Sequence, residues 1–252
     1  WMEIDTGERP LNQYQFSLYL AASQSGERLA MQNLWPYQDF NLYPSDRWQP
    51  VDALLVPLSY AVPANLAAGA YRLGIIVYDT EAATTIALRA EDVDDVQVGW
   101  LRVGEPPVVD SVTGQAELLV QDAVWENGIV LRRLTPQVVE GGRQLAIAVE
   151  WQTSQSVLRD LTVFVHLIDE TGVIVAQSDR RPFGGQFPTP TWLVGETLRD
   201  TIYIDLPAAR HGNLGLSIGL YDQAGRVGLA GGLRDSLAVE LPIPVNAESG
   251  VP

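Results

Sequence analysis

The stretch 161–222 opens LTVFVHLIDETG (161–172), passes through FPTPTWLVGETLRD (187–200) and closes on LSIGLYD (216–222). Its runs alternate. In TIYIDL (201–206), Ile202, Ile204 and Leu206 point one way and Thr201, Tyr203 and Asp205 the other, the period of a strand with one buried face. Nearly the same stretch occurs once before. An offset of 144 residues pairs Trp48 with Trp192, Tyr43 with Phe187, Pro44 with Pro188, Asp52 with Glu196, Leu58 with Ile202 and Pro63 with Pro207. An offset of 143 pairs Gly69 with Gly212, Leu73 with Leu216, and Tyr78-Asp79 with Tyr221-Asp222. Upstream, 146 pairs Gly26 with Gly172, Ala30 with Ala176 and Pro36 with Pro182, and 147 pairs Leu20 with Leu167. The offset changes among Gly, Pro and polar residues, where loops absorb differences in length. The chain therefore holds two copies of one domain, an internal repeat that governs every later reading.

Strand-like runs in the first copy cover 14–20, 28–32, 53–62, 71–79, 85–88 and 96–103. In the second they fall near 129–134, 145–151, 161–169, 173–178, 198–206, 214–222 and 236–241. Such short strands with turn residues between them predict an all-β fold of two tandem immunoglobulin-like antiparallel β-sandwiches. No stretch carries a capped 3.6-residue period. Trp1 aligns with Trp151, yet GIVLRRL and QLAIAVEW, which precede Trp151, have no counterpart before Trp1. The first copy (1–104) is thus expected to lack its opening strands, as a fragment or as a domain completed by another segment. Residues 105–116, with paired prolines and polar residues, read as a linker, 117–244 as the second copy and 245–252 as a flexible tail.

The net charge of −15, with all 16 basic residues Arg, argues against a nucleic-acid partner, because a phosphate backbone would be repelled. No apolar run reaches the roughly 18–20 residues of a membrane helix. The absence of Cys removes disulfides, thiol nucleophiles and thiolate metal sites.

Catalytic signatures are sparse. The chain has two histidines and no GxSxG, HExxH, P-loop or GxGxxG. His166 stands where the first copy has Tyr19, which favours a packed, hydrogen-bonded role over catalysis, and His211 lies in a turn beside Gly212. A carboxylate pair for glycoside chemistry would come from Asp52, Glu196, Asp79 and Asp222. Asp79 and Asp222 each follow Tyr at a strand end, where Asp commonly caps a turn through its own side chain. Glu91, Asp92, Asp94 and Asp95 form the candidate metal site, with calcium as the ion. Their spacing lacks the glycine punctuation of a calcium loop, and a solvated charge run is the competing reading. No other cofactor is indicated. In the aromatic loop, Tyr37, Tyr43 and Trp48 match Phe183, Phe187 and Trp192 and read as packing residues. Trp35 and Phe40 lack aromatic partners in the second copy. With Asn33, Gln38 and Asn41 beside them to orient hydroxyls, they are the candidate sugar-stacking surface.

The second copy also carries a Trp before an FVHL strand (Trp151, Phe164 to Leu167), then G-x-x-x-A-Q-x-D (Gly172, Ala176-Gln177, Asp179). P-T-x-x-W-x-x-G-E-x-x-x-D (Pro188-Thr189, Trp192, Gly195-Glu196, Asp200) and G-L-Y-D (Gly219 to Asp222) follow. In these the chain resembles the repeated β-sandwich modules of Chloroflexota-type bacteria, which often lie C-terminal to membrane proteins similar to family-39 glycosyltransferases. The first copy lacks the His, the Gly-Glu pair and the Gly before Leu-Tyr-Asp. The resemblance implies an extracytoplasmic setting and supplies no catalytic residue. The sequence reading is thus a non-catalytic structural or interaction module of a larger cell-envelope protein, partnered by neighbouring envelope domains. The alternatives are a carbohydrate-binding module acting through the 33–48 loop and a carboxylate-dependent glycoside-processing enzyme.

Overall fold

The structure, a computed structural model, describes residues 2–3, 12–35, 44–49, 53–54, 58–86, 96–108, 120–207 and 213–241. It is all-β: every strand pairing is antiparallel, and the described residues contain short 3-10 turns but no α-helix. The chain divides into two compact units, 1–104 and 105–252. The first holds β1 (Met2–Glu3), β2 (Tyr14–Ala22), β3 (Arg28–Leu34), β4 (Ala53–Leu54), β5 (Gly69–Asp79), β6 (Thr84–Ile86) and β7 (Val96–Val103). The second holds β8 (Val120–Val124), β9 (Ile129–Val139), β10 (Gln144–Thr153), β11 (Thr162–Ile168), β12 (Ile174–Arg180), β13 (Leu198–Asp205), β14 (Gly215–Asp222), β15 (Gly225–Arg226) and β16 (Ser236–Glu240).

In the first unit β2 lies between β3 and β5, and β5 is flanked further on by β6 and β7. The second unit repeats this plan with β11 between β12 and β14, and with β15 and β16 on β14. The agreement extends to register. Leu20 pairs with Leu73 in one sheet as Leu167 pairs with Leu216 in the other. Each hairpin turns through a glycine at positive φ, Gly26 at 73° and Gly172 at 85°, a conformation that disfavours residues with a Cβ. Each then carries a bulge at the same place. Leu20 and Ala21 pair with Ala30 and Arg28, leaving Leu29 over, and Leu167 and Ile168 pair with Ala176 and Ile174, leaving Val175 over.

A buried hydroxyl closes the loop that follows each hairpin. Pro44 and Pro188 precede the 3-10 turns Ser45–Arg47 and Thr189–Thr191. The Ser45 hydroxyl accepts from the Tyr14 N–H (2.6 Å) and donates to the Asn12 carbonyl (3.2 Å). The Thr189 hydroxyl accepts from the Leu161 N–H (3.0 Å) and donates to the Arg159 carbonyl (2.6 Å). This clasp fixes the turn that delivers Trp48 or Trp192 into the core, and both indoles are buried.

The second unit adds a four-stranded sheet, in the order β13-β10-β9-β8. Leu145, Ile147, Val149 and Trp151 from β10 and Ile202 and Ile204 from β13 share one core with Val163, Val165 and Leu167 of β11 and Leu216, Ile218 and Leu220 of β14. Trp125, Trp151 and Trp192 run through it, with ring centroids 5.8 and 6.2 Å apart. The alternation read in TIYIDL holds for Ile202, Ile204 and the exposed Tyr203, although Thr201 is also buried.

The first unit departs from expectation along 53–62. Among its described residues Ala53–Leu54 are strand and 58–62 are not. In the second unit β13 is paired by β10 along its whole length, whereas among the described residues β4 pairs with β1 at two positions. In 58–62 a side chain serves the backbone: the Ala61 N–H donates to Gln32 Oε1 (2.9 Å). Met2 pairs with Leu54 as Trp151 pairs with Leu198, a slip of one residue from the alignment of Trp1 with Trp151. Strands β8 and β15 were not legible in the sequence pattern.

The clasp is open to test. Thr189→Val keeps the side-chain volume but leaves the buried Leu161 N–H without its acceptor. It should destabilise the protein by about 1–3 kcal/mol in chemical denaturation. An unchanged midpoint and slope would show that the hydroxyl contributes nothing.

Candidate functional site

Because Val163, Val165 and Leu167 face the core, Phe164 and His166 face outward. Register then decides their neighbours. Asp179 stands opposite Phe164 on one side and Gly219 on the other, and Gln177 and Ser217 flank His166. Tyr221 and Arg226 form the next cross-strand pair on the same face. Three motifs that are separate in sequence, VFVHL, AQSD and GLYD, therefore converge.

They line a shallow depression of about 310 Å³ with Phe164, His166, Asp179, Tyr221, Gly225 and Arg226. Phe164 forms its floor and is only 1% exposed. It lies flat because Gly219 has no side chain: a Cβ there would collide with the ring. The Arg226 guanidinium covers the ring at 4.5 Å, and the His166 ring stands 4.9 Å away. The Tyr221 hydroxyl donates to Asp179 Oδ2 (3.2 Å). Burial, reinforced by the Asp179 charge, pushes the Tyr221 phenol up, so it stays a donor at neutral pH. His166 Nε2 lies 3.5 Å from Asp179 Oδ1. Arg226 reaches Asp235 at 3.3 and 3.5 Å, distances at the long end for a hydrogen bond.

The first unit has different chemistry at the corresponding places. Ser17 replaces Phe164, Tyr19 replaces His166, Asn33 replaces Asp179, and Tyr78 matches Tyr221. Tyr19 is buried over Gly74, with Arg28 4.6 Å above its ring. The aromatic-over-glycine contact has thus moved two residues along the strand.

The carboxylates proposed for glycoside chemistry serve the backbone where they are described. Asp79 Oδ1 accepts from the Glu81 and Ala82 N–H groups, each at 2.9 Å, and Oδ2 accepts from Asn12 (2.8 Å). Asp222 Oδ1 accepts from the Ala224 N–H (2.8 Å), and the Arg159 guanidinium grips both of its oxygens. Glu196 Oε2 accepts from the Leu193 N–H (3.2 Å) within its own turn. Asp79 and Asp222 belong to separate units. Asn33 is exposed, and its Oδ1 accepts from the Ser17 hydroxyl (2.7 Å). Trp35 is 37% exposed. Phe40, Gln38, Asn41, Asp52, His211, Glu91, Asp92, Asp94 and Asp95 lie outside the described residues. Among the described residues no group of three or more His, Cys, Asp or Glu is placed to hold a metal, and no helix is long and apolar enough to cross a membrane.

A scan against models of known protein families finds no match to the chain, and no curated protein matches it.

The Arg159 grip holds the Asp222 carboxyl below the ordinary carboxylate range, the Ala224 N–H adds to this, and burial opposes it. With the folded pKa below the unfolded one, Asp222 contributes stability that is present above about pH 4 and lost as pH falls through the folded value. Asp222→Asn should therefore lower the urea midpoint at pH 7 and lower it less at pH 3. An equal deficit at both pH values would remove the charge from the account.

Proposed function

We propose that the chain is a non-catalytic, extracytoplasmic structural or interaction module. It consists of two tandem immunoglobulin-like β-sandwiches and belongs to a larger cell-envelope protein. One observation carries this reading. The two units share the hydroxyl clasp, the hairpin glycine, the bulge and the core pairs. They differ at outward positions, Ser17 against Phe164, Tyr19 against His166 and Asn33 against Asp179. What is common to the units builds a scaffold, and what varies is the sheet face turned away from the main core, where Ser17, Tyr19 and Phe164 are covered and Asn33, Asp179 and His166 reach solvent. The sandwich reading is supported by the second unit, where the chain changes sheet after β10, after β12 and again after β13, as Greek-key connections do. The non-catalytic reading is supported by Asp79, Asp222 and Glu196, all engaged with backbone N–H groups. The envelope setting and the neighbouring-domain partners rest on the family resemblance.

A second reading, carbohydrate binding through the 33–48 loop, is favoured by the contrast between Trp48, 1% exposed, and Trp35, 37% exposed. Trp35 and Phe40 would stack on a sugar ring, and Asn33, Gln38 and Asn41 would orient its hydroxyls.

Two measurements separate these readings from the enzymatic one. The purified chain should release no product from a panel of aryl glycosides, and turnover abolished by Asp79→Asn or Asp222→Asn would overturn the non-catalytic reading. Trp35→Ala should weaken retention on a glycan array at an unchanged melting temperature if the loop binds sugar. Retention equal to that of the unmodified chain removes the loop.

A further inference from the structure

We infer that the outward depression of the second unit is a binding site for a neutral sugar residue, held between Asp179 and His166 on one side and Arg226 on the other. The inference gives the interaction module a ligand. It is independent of the 33–48 loop, which lies in the other unit.

The lining selects the ligand by what it refuses. An anion would meet Asp179 and Asp235 on a chain of net charge −15. A cation would find its place taken, because Arg226 already covers the Phe164 ring and faces Asp235. An apolar ligand gains little, since the one large apolar ring in the floor is almost fully covered. A neutral group that both donates and accepts is what remains.

The polar groups are also incompletely satisfied, in the pattern that vicinal hydroxyls fit. Among the described residues Asp179 accepts one hydrogen bond, from Tyr221, although a carboxylate offers about four lone-pair directions. His166 Nε2 faces Asp179 Oδ1 at 3.5 Å, too far for a strong hydrogen bond, neither ring nitrogen makes one among the described residues, and the side chain is 12% exposed at the rim. Arg226 is 48% exposed and uses one guanidinium nitrogen, at long range, on Asp235. A sugar hydroxyl can donate to Asp179 while accepting from Arg226, and its neighbour can bond the imidazole. A volume of about 310 Å³ is at the small end of ligand pockets, roughly 300–1,000 Å³. It suits one sugar residue of a longer glycan that continues into solvent.

The test applies the full chain to an array of neutral oligosaccharides of glucose, galactose, mannose and N-acetylglucosamine, with sialylated and sulfated counterparts, and titrates the best neutral binder by calorimetry. Asp179→Asn and His166→Gln should each weaken binding about tenfold or more, the loss expected when a hydrogen bond to a buried or charged group is removed. Both variants should melt as the unmodified chain does, and Trp35→Ala should bind normally. Should either variant melt early, titration of the unmodified chain followed by NMR replaces it: the sugar must shift the His166 imidazole resonances. The inference is overturned if no neutral glycan is retained, if acidic glycans are preferred, or if Asp179→Asn and His166→Gln bind as the unmodified chain does. It is equally overturned if the imidazole resonances stay fixed. Loss of binding in Trp35→Ala alone would transfer sugar recognition to the loop and leave the module reading standing.

Discussion

Both faces of the second unit's five-stranded sheet depend on the register between β11 and β14, which runs from Thr162 opposite Tyr221 to Ile168 opposite Gly215. Side chains alternate with a period of two, so a slip of one residue would turn every core side chain to solvent. Burial holds the register. Val163, Val165, Leu167, Leu216, Ile218 and Leu220 each contribute about 1.5–3 kcal/mol by leaving water. The same register sets Asp179, Tyr221 and Arg226 around Phe164 on the other face. The depression is thus a by-product of core packing, positioned by residues that never touch it.

The hydroxyl clasp plays the corresponding part for the loops. A chain crossing between sheets brings backbone N–H and C=O groups into places that water does not reach, and each must find a partner. Ser45 and Thr189 satisfy one donor and one acceptor with a single atom. The turns they close hold Trp48 and Trp192 at the core, and in the second unit the Trp192 indole donates in turn to the Phe187 carbonyl. Turn and core are therefore coupled: the turn is held because its indole is buried, and the indole is placed because the turn is clasped.

Much of this was legible in the sequence because it is local or repeated. The offsets of 143 to 147 residues located matching strands, the alternation in TIYIDL assigned faces, and Tyr-Asp at a strand end marked Asp79 and Asp222 as turn caps. What stayed hidden depends on partners distant in sequence. His166 looked like a packed residue, and nothing near it in sequence announces that Asp179 will stand 3.5 Å away or that Tyr221 and Arg226 will gather around the neighbouring Phe164. Residues 53–62 have strand composition, but a strand also needs a neighbour, and the described residues 58–62 bond a side chain, Gln32, at Ala61 rather than a strand. The aromatic loop and the acidic run 91–95, singled out for their composition, fall largely outside the described residues.

Two like sheets in one chain create a hazard during folding, because a strand of one copy can find its counterpart's partner in the other. The staggered aromatic–glycine contacts bear on this. If β14 took the place of β5 beside β2 in the same register, Ser217 would stand opposite Tyr19, where only Gly74 leaves room for the ring. In the reverse exchange Ile76 would stand opposite Phe164, in the place of Gly219. Either mistaken pairing forces a side chain into an aromatic ring, and overpacking of this kind costs about 1–3 kcal/mol. The two copies thus carry different keys on a shared plan, and each central strand is matched to its own partner.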